Sequence, residues 1–250
     1  MTSFTDLACS NFLKIPSNLD SVRLKEFVEK QNFDSKTKLI FNEYNPDFIE
    51  QTILTLNPKL NVKPYNSNFF ILDRRQAKEF LNQELLEGFT VFEIDEKDKE
   101  NLEIIKNLLT SSFAVKIYKD ENGKTIFEEK PERAEEVLIN FENNYKQTGL
   151  KTFLVKSKLG EIVGCFSLIR IANEVQLSGV AGRTTLPNSY TGKKLVILCQ
   201  AMISSFLKST DFEDVQFLTL SNSKTPVAQI YAELGIPKNT TRKGLLVKPI

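Results

Sequence analysis

The chain has 250 residues, 41% hydrophobic and 26% charged, with 33 Lys plus Arg, 32 Asp plus Glu and no histidine. That length suits one large domain or two small ones. The missing histidine excludes Ser-His-Asp and Cys-His hydrolysis and His-ligated zinc or non-haem iron, and a net charge of +1 lacks the clustered positive excess that binding to nucleic acid needs.

In chain order, Val22–Gln31 has the rhythm of a helix and Lys38–Phe41 reads as a short strand. Asp47–Leu56 reads as a helix stopped by Asn57-Pro58, and Phe69–Leu72 as an apolar strand. Arg74–Leu86 is expected as a charged amphipathic helix ended by Gly88. Residues 1–87 thus form an N-terminal α/β region with no chemical motif of its own. Beyond Gly88 the order is clearer. Phe89–Ile94 reads as a strand, Lys99–Phe113 as a helix, Tyr118–Lys130 as a polar stretch turning at Asn122-Gly123, and Glu132–Tyr145 as a second helix. Thr152–Lys156 and Glu161–Ile171 form a hairpin about Leu159-Gly160, and Ala172-Asn173 turns the chain into a third strand, Glu174–Leu186. A long helix over Tyr190–Leu207, a strand at Val215–Leu220, a short helix at Pro226–Leu234 closed by Gly235 and a last strand at Gly244–Pro249 complete the chain. This pattern predicts an α+β fold with helices on both faces of a sheet.

The three cysteines, Cys9, Cys165 and Cys199, are far apart, so neither a metal cluster nor a disulfide framework is expected. Cys165 and Cys199 lie in apolar runs and read as core residues. The N-terminus has no basic start, and no window approaches the ~18 apolar residues of a membrane span. A soluble, cytoplasmic protein is expected, without nucleic-acid or membrane partners; oligomeric state is open, a homodimer included.

Two local stretches, together with the element order, resemble the GNAT acyltransferase superfamily over about residues 88–250. One is Leu186-Pro-Asn-Ser-Tyr190-Thr-Gly192-Lys193-Lys194-Leu195, similar to the segment where the family's fourth strand gives way to the acetyl-CoA loop and the long helix. The other is Leu218-Thr-Leu-Ser221 followed by Pro226-Val-Ala228-Gln-Ile-Tyr231-Ala-Glu-Leu234-Gly235, similar to the family's fifth strand and following helix. The resemblance implies a GNAT-like mixed, mostly antiparallel sheet flanked by helices, acetyl-CoA as co-substrate, no metal, and an amine of a small molecule or protein as acceptor.

In the family a Gln/Arg-x-x-Gly-x-Gly/Ala loop presents helix N-terminal amides to the diphosphate. Aligned on Tyr190, this chain has Thr191 at the first position, Lys194 and Val196 at the two glycine positions, and retains Gly192. The resemblance assigns cofactor binding to Leu186, Tyr190, Thr191, Gly192, Lys193, Lys194, Leu195 and Val196. Lys193 and Lys194 add positive charge there, while side chains at Lys194 and Val196 could screen the amides. A non-catalytic binding or regulatory protein with a degenerate loop is therefore the alternative.

Tyr231 stands where many such enzymes place the acid that protonates the departing thiolate; otherwise it is a core tyrosine. Glu174 is the one carboxylate of its strand, and reads either as the general base or as a solvated turn residue. Arg183 and Ser221 are the substrate-binding candidates. Arg183, in a run of small and apolar residues, either clamps a carboxylate or phosphate, pairs with the N-terminal half or reaches solvent. Gly179 and Gly182 interrupt the same strand, as glycines at a bulge do. Asn66-Ser67-Asn68-Phe69-Phe70 weakly resembles the opening of dTDP-fucosamine-type acetyltransferases. A third arrangement, two acyltransferase-like halves in tandem, predicts a meander with helices within residues 1–87.

Overall fold

The computed structural model describes residues 12–17, 19–31, 33, 37–42, 44–64, 68–95, 97–119, 121, 125–129, 131–145, 149–182, 192–222, 226–240 and 242–250. In order these form β1 (Phe12–Lys14), α1 (Ser21–Glu29), β2 (Thr37–Phe41), α2 (Pro46–Leu56), β3 (Leu60–Pro64), β4 (Asn68–Asp73), α3 (Arg74–Phe80), β5 (Phe89–Glu93) and α4 (Lys99–Phe113). They continue as β6 (Val115–Lys119), β7 (Thr125–Glu129), α5 (Pro131–Asn144), β8 (Leu150–Ser157), β9 (Ile162–Ile171), β10 (Glu174–Gly182), α6 (Gly192–Lys208), β11 (Phe217–Asn222), α7 (Pro226–Glu233), β12 (Lys238–Asn239) and β13 (Lys243–Pro249).

The fold is α+β, built on a mixed, mostly antiparallel seven-stranded sheet flanked by helices, with strand order β12-β4-β11-β10-β9-β8-β5. Strand alternation sends side chains to both faces, and both are covered. Phe153, Val155, Phe166, Leu168, Val175, Leu177, Leu218 and Leu220 join the α6 side chains Leu198, Met202 and Phe206 in one core. On the other face Leu154 and Cys165 meet Ile105 of α4 and Val137 of α5. Both described cysteines are buried, as expected, and burial pushes the Cys199 thiol up to about 12, so it stays a neutral apolar side chain.

A four-stranded sheet, order β1-β2-β13-β3, contains most of the N-terminal region. Helices α1 and α2 cover one of its faces through Leu24, Val28, Ile49 and Ile53, packed on Leu39, Phe41, Leu245 and Val247. Ile40, which alternates to the other face of β2, meets Phe69 of β4 in the large sheet.

The expected boundary at residue 87 is not where the sheets divide. β4, from the N-terminal stretch, pairs antiparallel with β11 in the large sheet. β13, from the C-terminal end, is inserted between β2 and β3 and is antiparallel to both. The two units have exchanged their last strands. The succession β1-α1-β2-α2-β3-β4 is repeated as β10-α6-β11-α7-β12-β13, and each unit's sheet accepts the other's final strand at the same place. The meander that a tandem arrangement predicted for residues 1–87 is absent among the described residues. β1 and β2 are parallel, joined through α1, so the N-terminal stretch repeats the back of the fold rather than its front.

Two local elements differ from the expectation. The stretch read as polar, Tyr118–Lys130, belongs to an antiparallel hairpin, β6 with β7. The helix expected over Arg74–Leu86 ends at Phe80, followed by a short 3-10 turn at Glu84–Leu86. There Gln200 of α6 takes over the backbone: its side chain accepts from the Asn82 N–H at 2.7 Å and donates to the Phe80 carbonyl at 3.1 Å. The remainder of the strand expected over Glu174–Leu186, beyond Gly182, lies outside the described residues.

Candidate functional site

The feature that could admit a ligand is the junction of β10 and β11. Among the described residues they are the one parallel pair within the seven-stranded sheet, and their register runs Glu174–Phe217, Val175–Leu218, Gln176–Thr219. Among the described residues the pairing stops there, although β10 continues to Gly182 and β11 to Asn222. Each strand stays attached to its outer neighbour: β10 pairs with β9 as far as Gly182–Gly164, and β11 with β4 as far as Asn222–Asn68.

The cause is visible in the register. Leu177 faces Leu168 while Gly179 faces Ser167, so Ser178 is an extra residue, a β-bulge on β10 at the point of separation. A bulge bends its strand and sharpens the local twist, which carries β10 away from β11. The result is a wedge between two strands whose backbone N–H and C=O groups are not paired with each other. An extended chain carrying amides of its own can bind there by adding hydrogen bonds to both strands. Gly179 and Gly182 lie on this stretch of β10, and Ser221 on the unpaired stretch of β11.

The next described element after β10 is α6, whose first turn holds Gly192, Lys193, Lys194 and Leu195 and no acidic residue. Its first N–H groups have no partner within the helix, and the positive end of the helix dipole favours an anion there. Leu195 is buried in the core and Val196 packs partly against it, so their side chains support α6 rather than line a ligand site. Because α6 begins at Gly192, Val196 already lies in its second turn, beyond the free amides. Arg183, Leu186, Tyr190 and Thr191 lie outside the described residues.

Tyr231 of α7 is fully buried, with its ring edge-on to Phe70 at 5.4 Å between centroids. Its hydroxyl donates to the Met202 sulfur of α6 at 3.8 Å. Asn68, Phe69 and Phe70, the described part of the stretch resembling dTDP-fucosamine-type enzymes, form the start of β4; Phe69 and Phe70 are core residues.

Glu174 is placed differently from both readings of the sequence. It is neither a solvated turn residue nor a group facing the wedge. It starts β10, at the opposite end from the separation, with 1% of its surface exposed. Arg242 grips both its carboxylate oxygens, each at 3.0 Å, and Lys14 of β1 donates to Oε2 at 2.8 Å. A buried carboxylate must be matched in this way, because an unpaired charge away from water is costly. Arg242, just before β13, received no role from the sequence, although the rule applied to Arg183 holds for it: it is 6% exposed and fully partnered. Only its place beside Glu174 in three dimensions distinguishes it from the neighbouring Lys243.

No family model matches the chain, and no curated protein matches it. Among solved structures, a GNAT-family N-acetyltransferase from Sphaerobacter thermophilus is similar at 15% identity over 90% of this chain and 64% of its own, with a TM-score of 0.43. A tandem GNAT protein from the clavulanic acid biosynthesis pathway gives 11% identity over 86% of this chain and 64% of its own, with a TM-score of 0.46. A spermidine N-acetyltransferase from Vibrio cholerae gives 13% identity over 65% of this chain and 94% of its own, with a TM-score of 0.39.

Proposed function

We propose that this chain is an acetyl-CoA-dependent N-acetyltransferase of the GNAT type, acting on an amine of a small molecule or protein. The observation that carries the reading is the separation of β10 from β11 after Gln176 and Thr219, beside the bulge at Ser178, with α6 the next described element after β10. The residues suit the co-substrate. The backbone of the parted strands matches the two amides of a pantetheine arm. The first-turn amides of α6, with Lys193 and Lys194 beside them and no acidic residue, suit its phosphates.

When bound, acetyl-CoA supplies an acyl group already activated as a thioester. The chain's part is to orient and to move protons. Backbone N–H groups at the open end of the wedge, toward Leu186, polarise the acyl carbonyl. Arg183 and Ser221, at or just beyond the ends of the parted strands, position the acceptor. Tyr231 delivers the proton that the sulfur needs on leaving, its ring held by Phe70 and its hydroxyl near Met202. The core of this activity lies within residues 88–250, with β4 supplied to its sheet by the N-terminal stretch and β13 given over to the other sheet.

A non-catalytic binding protein is the second reading, favoured by Lys194 standing where the family has a glycine. Thermal unfolding with acetyl-CoA tests for the ligand. At 100 times its Kd, it should stabilise the fold by about 2.7 kcal/mol. An unchanged unfolding temperature at millimolar acetyl-CoA removes the cofactor from the proposal. Catalysis is tested by Tyr231→Phe in an amine-acetylation assay. Turnover should fall by roughly 10²–10⁴-fold, the usual worth of a positioned acid, with the KM for acetyl-CoA unchanged. Unaltered turnover would leave Tyr231 a core residue.

A further inference from the structure

We propose that Arg242 is a positioning residue that bolts the closed end of the wedge between β10 and β11 and thereby sets how firmly the wedge grips an extended ligand. This rests on the co-substrate reading above, and it gives the exchanged C-terminal strand and the N-terminal sheet a part in that site.

Little pairing holds the two strands together. Their register covers three residue pairs, from Glu174–Phe217 to Gln176–Thr219. The Arg242 guanidinium spans this stretch diagonally. One terminal nitrogen donates to Glu174 Oε1, on the first paired residue of β10, at 3.0 Å. The same nitrogen donates to the hydroxyl of Thr219, on the last paired residue of β11, at 3.0 Å. The other terminal nitrogen donates to Glu174 Oε2 at 3.0 Å. Charge-assisted bonds in this forked geometry are stronger than neutral ones, and their planar arrangement fixes direction as well as distance.

The guanidinium is itself held from outside the large sheet. Its Nε donates to Asn42 Oδ1, just beyond β2, at 3.3 Å, and it lies 5.9 Å from the centre of the Phe69 ring. The residue after Arg242 begins β13, which is paired on both sides within the small sheet. Lys14 of β1 holds the same Glu174 oxygen. The bolt is therefore also fastened to β1 through Lys14 and to the end of β2 through Asn42, outside the large sheet. A ligand that adds its amides to two parted strands gains most when their separation is already set, because ordering them on binding subtracts from affinity. Without the bolt, separation at the bulge can run back into the three paired residues.

Thr219→Val isolates the bolt, since it keeps side-chain shape and leaves the Arg242–Glu174 pair intact. Arg242→Lys is the second variant, keeping the charge and losing the fork. Calorimetry would compare CoA with phospho-ADP, the cofactor's nucleotide half without its pantetheine arm. The expected result for Thr219→Val is CoA binding weakened about tenfold, the range of a single coupled contact, with phospho-ADP unchanged. In the ligand-free protein, amide exchange should quicken in peptides covering 174–182 and 217–222 and stay unchanged in α6 and β8. Unchanged CoA affinity, an equal loss for both ligands, or exchange raised uniformly would overturn the proposal. If the unmodified protein binds neither ligand, the acetyl-CoA reading fails, and the exchange pattern alone decides the role of Arg242.

Discussion

Removal of residues 243–250 is expected to unfold the N-terminal sheet while leaving most of the large sheet in place. Those residues contain β13, the strand between β2 and β3, and its loss strips both of their shared partner. Leu245, Leu246 and Val247 are at most 1% exposed. Each such side chain contributes about 1.5–3 kcal/mol on burial. Their combined loss is on the order of the whole stability of an ordinary domain, about 5–15 kcal/mol. β1, β2 and β3 would then have no continuous sheet against which α1 and α2 could pack. Limited proteolysis with mass spectrometry is the measurement. Cleavage should concentrate within residues 12–64, while β8 to β11 and α6 remain protected. Protection of residues 12–64 in the shortened chain would show that the N-terminal unit folds without the exchanged strand.

Glu174→Ala is expected to cost about 3–5 kcal/mol, the usual penalty for breaking a buried ion pair from one side. The loss comes less from the missing contact than from what remains. Arg242, 6% exposed, keeps its charge without a counter-ion, and Lys14 loses its carboxylate partner. Denaturant unfolding of the purified variant measures this. The companion double variant Glu174→Leu with Arg242→Met removes both charges and should recover much of the loss, since apolar replacement of a whole buried pair is often neutral or better. The result separates two roles that the sequence left open. A residue acting as a base would lose turnover in a protein of ordinary stability, whereas a buried partner of Arg242 loses stability first. An alanine variant as stable as the parent would contradict the burial seen here.

Much of the fold was legible along the chain. The meander from Thr152 to the end of β10 was readable because β-rich runs are broken by tight turns at Leu159-Gly160 and Ala172-Asn173, and turn chemistry is local. The long helices α4, α5 and α6 follow from apolar spacing, and α7 from its proline at the start and Gly235, at φ +77°, just past its end. Short elements were not legible. β1 and β12 have too few residues to show a period, β3 carries one buried leucine followed by mostly exposed positions, and α3 ends where it does because Gln200, 120 positions from Phe80, bonds its last backbone groups.

The candidate site divides in the same way. The glycines of β10 pointed to a bulge, and the structure puts one at Ser178. No single stretch, however, could show that two strands far apart in sequence pair over three residues and then part. Glu174 drew attention as a lone carboxylate, yet its role depends on a lysine 160 positions before it and an arginine 68 positions after it.

Fold class, the succession of elements and the burial of Cys165 and Cys199 come from patterns spanning a turn or two of backbone, where period and turn chemistry suffice. The exchange of β4 and β13 between sheets, the parting of β10 from β11 and the clustering of Lys14, Glu174, Thr219 and Arg242 depend on which distant segments meet. Strand pairing uses backbone groups common to every residue, and the apolar run Leu245-Leu246-Val247 of β13 reads the same wherever it docks. Only the closing of the complete core decides which sheet accepts it.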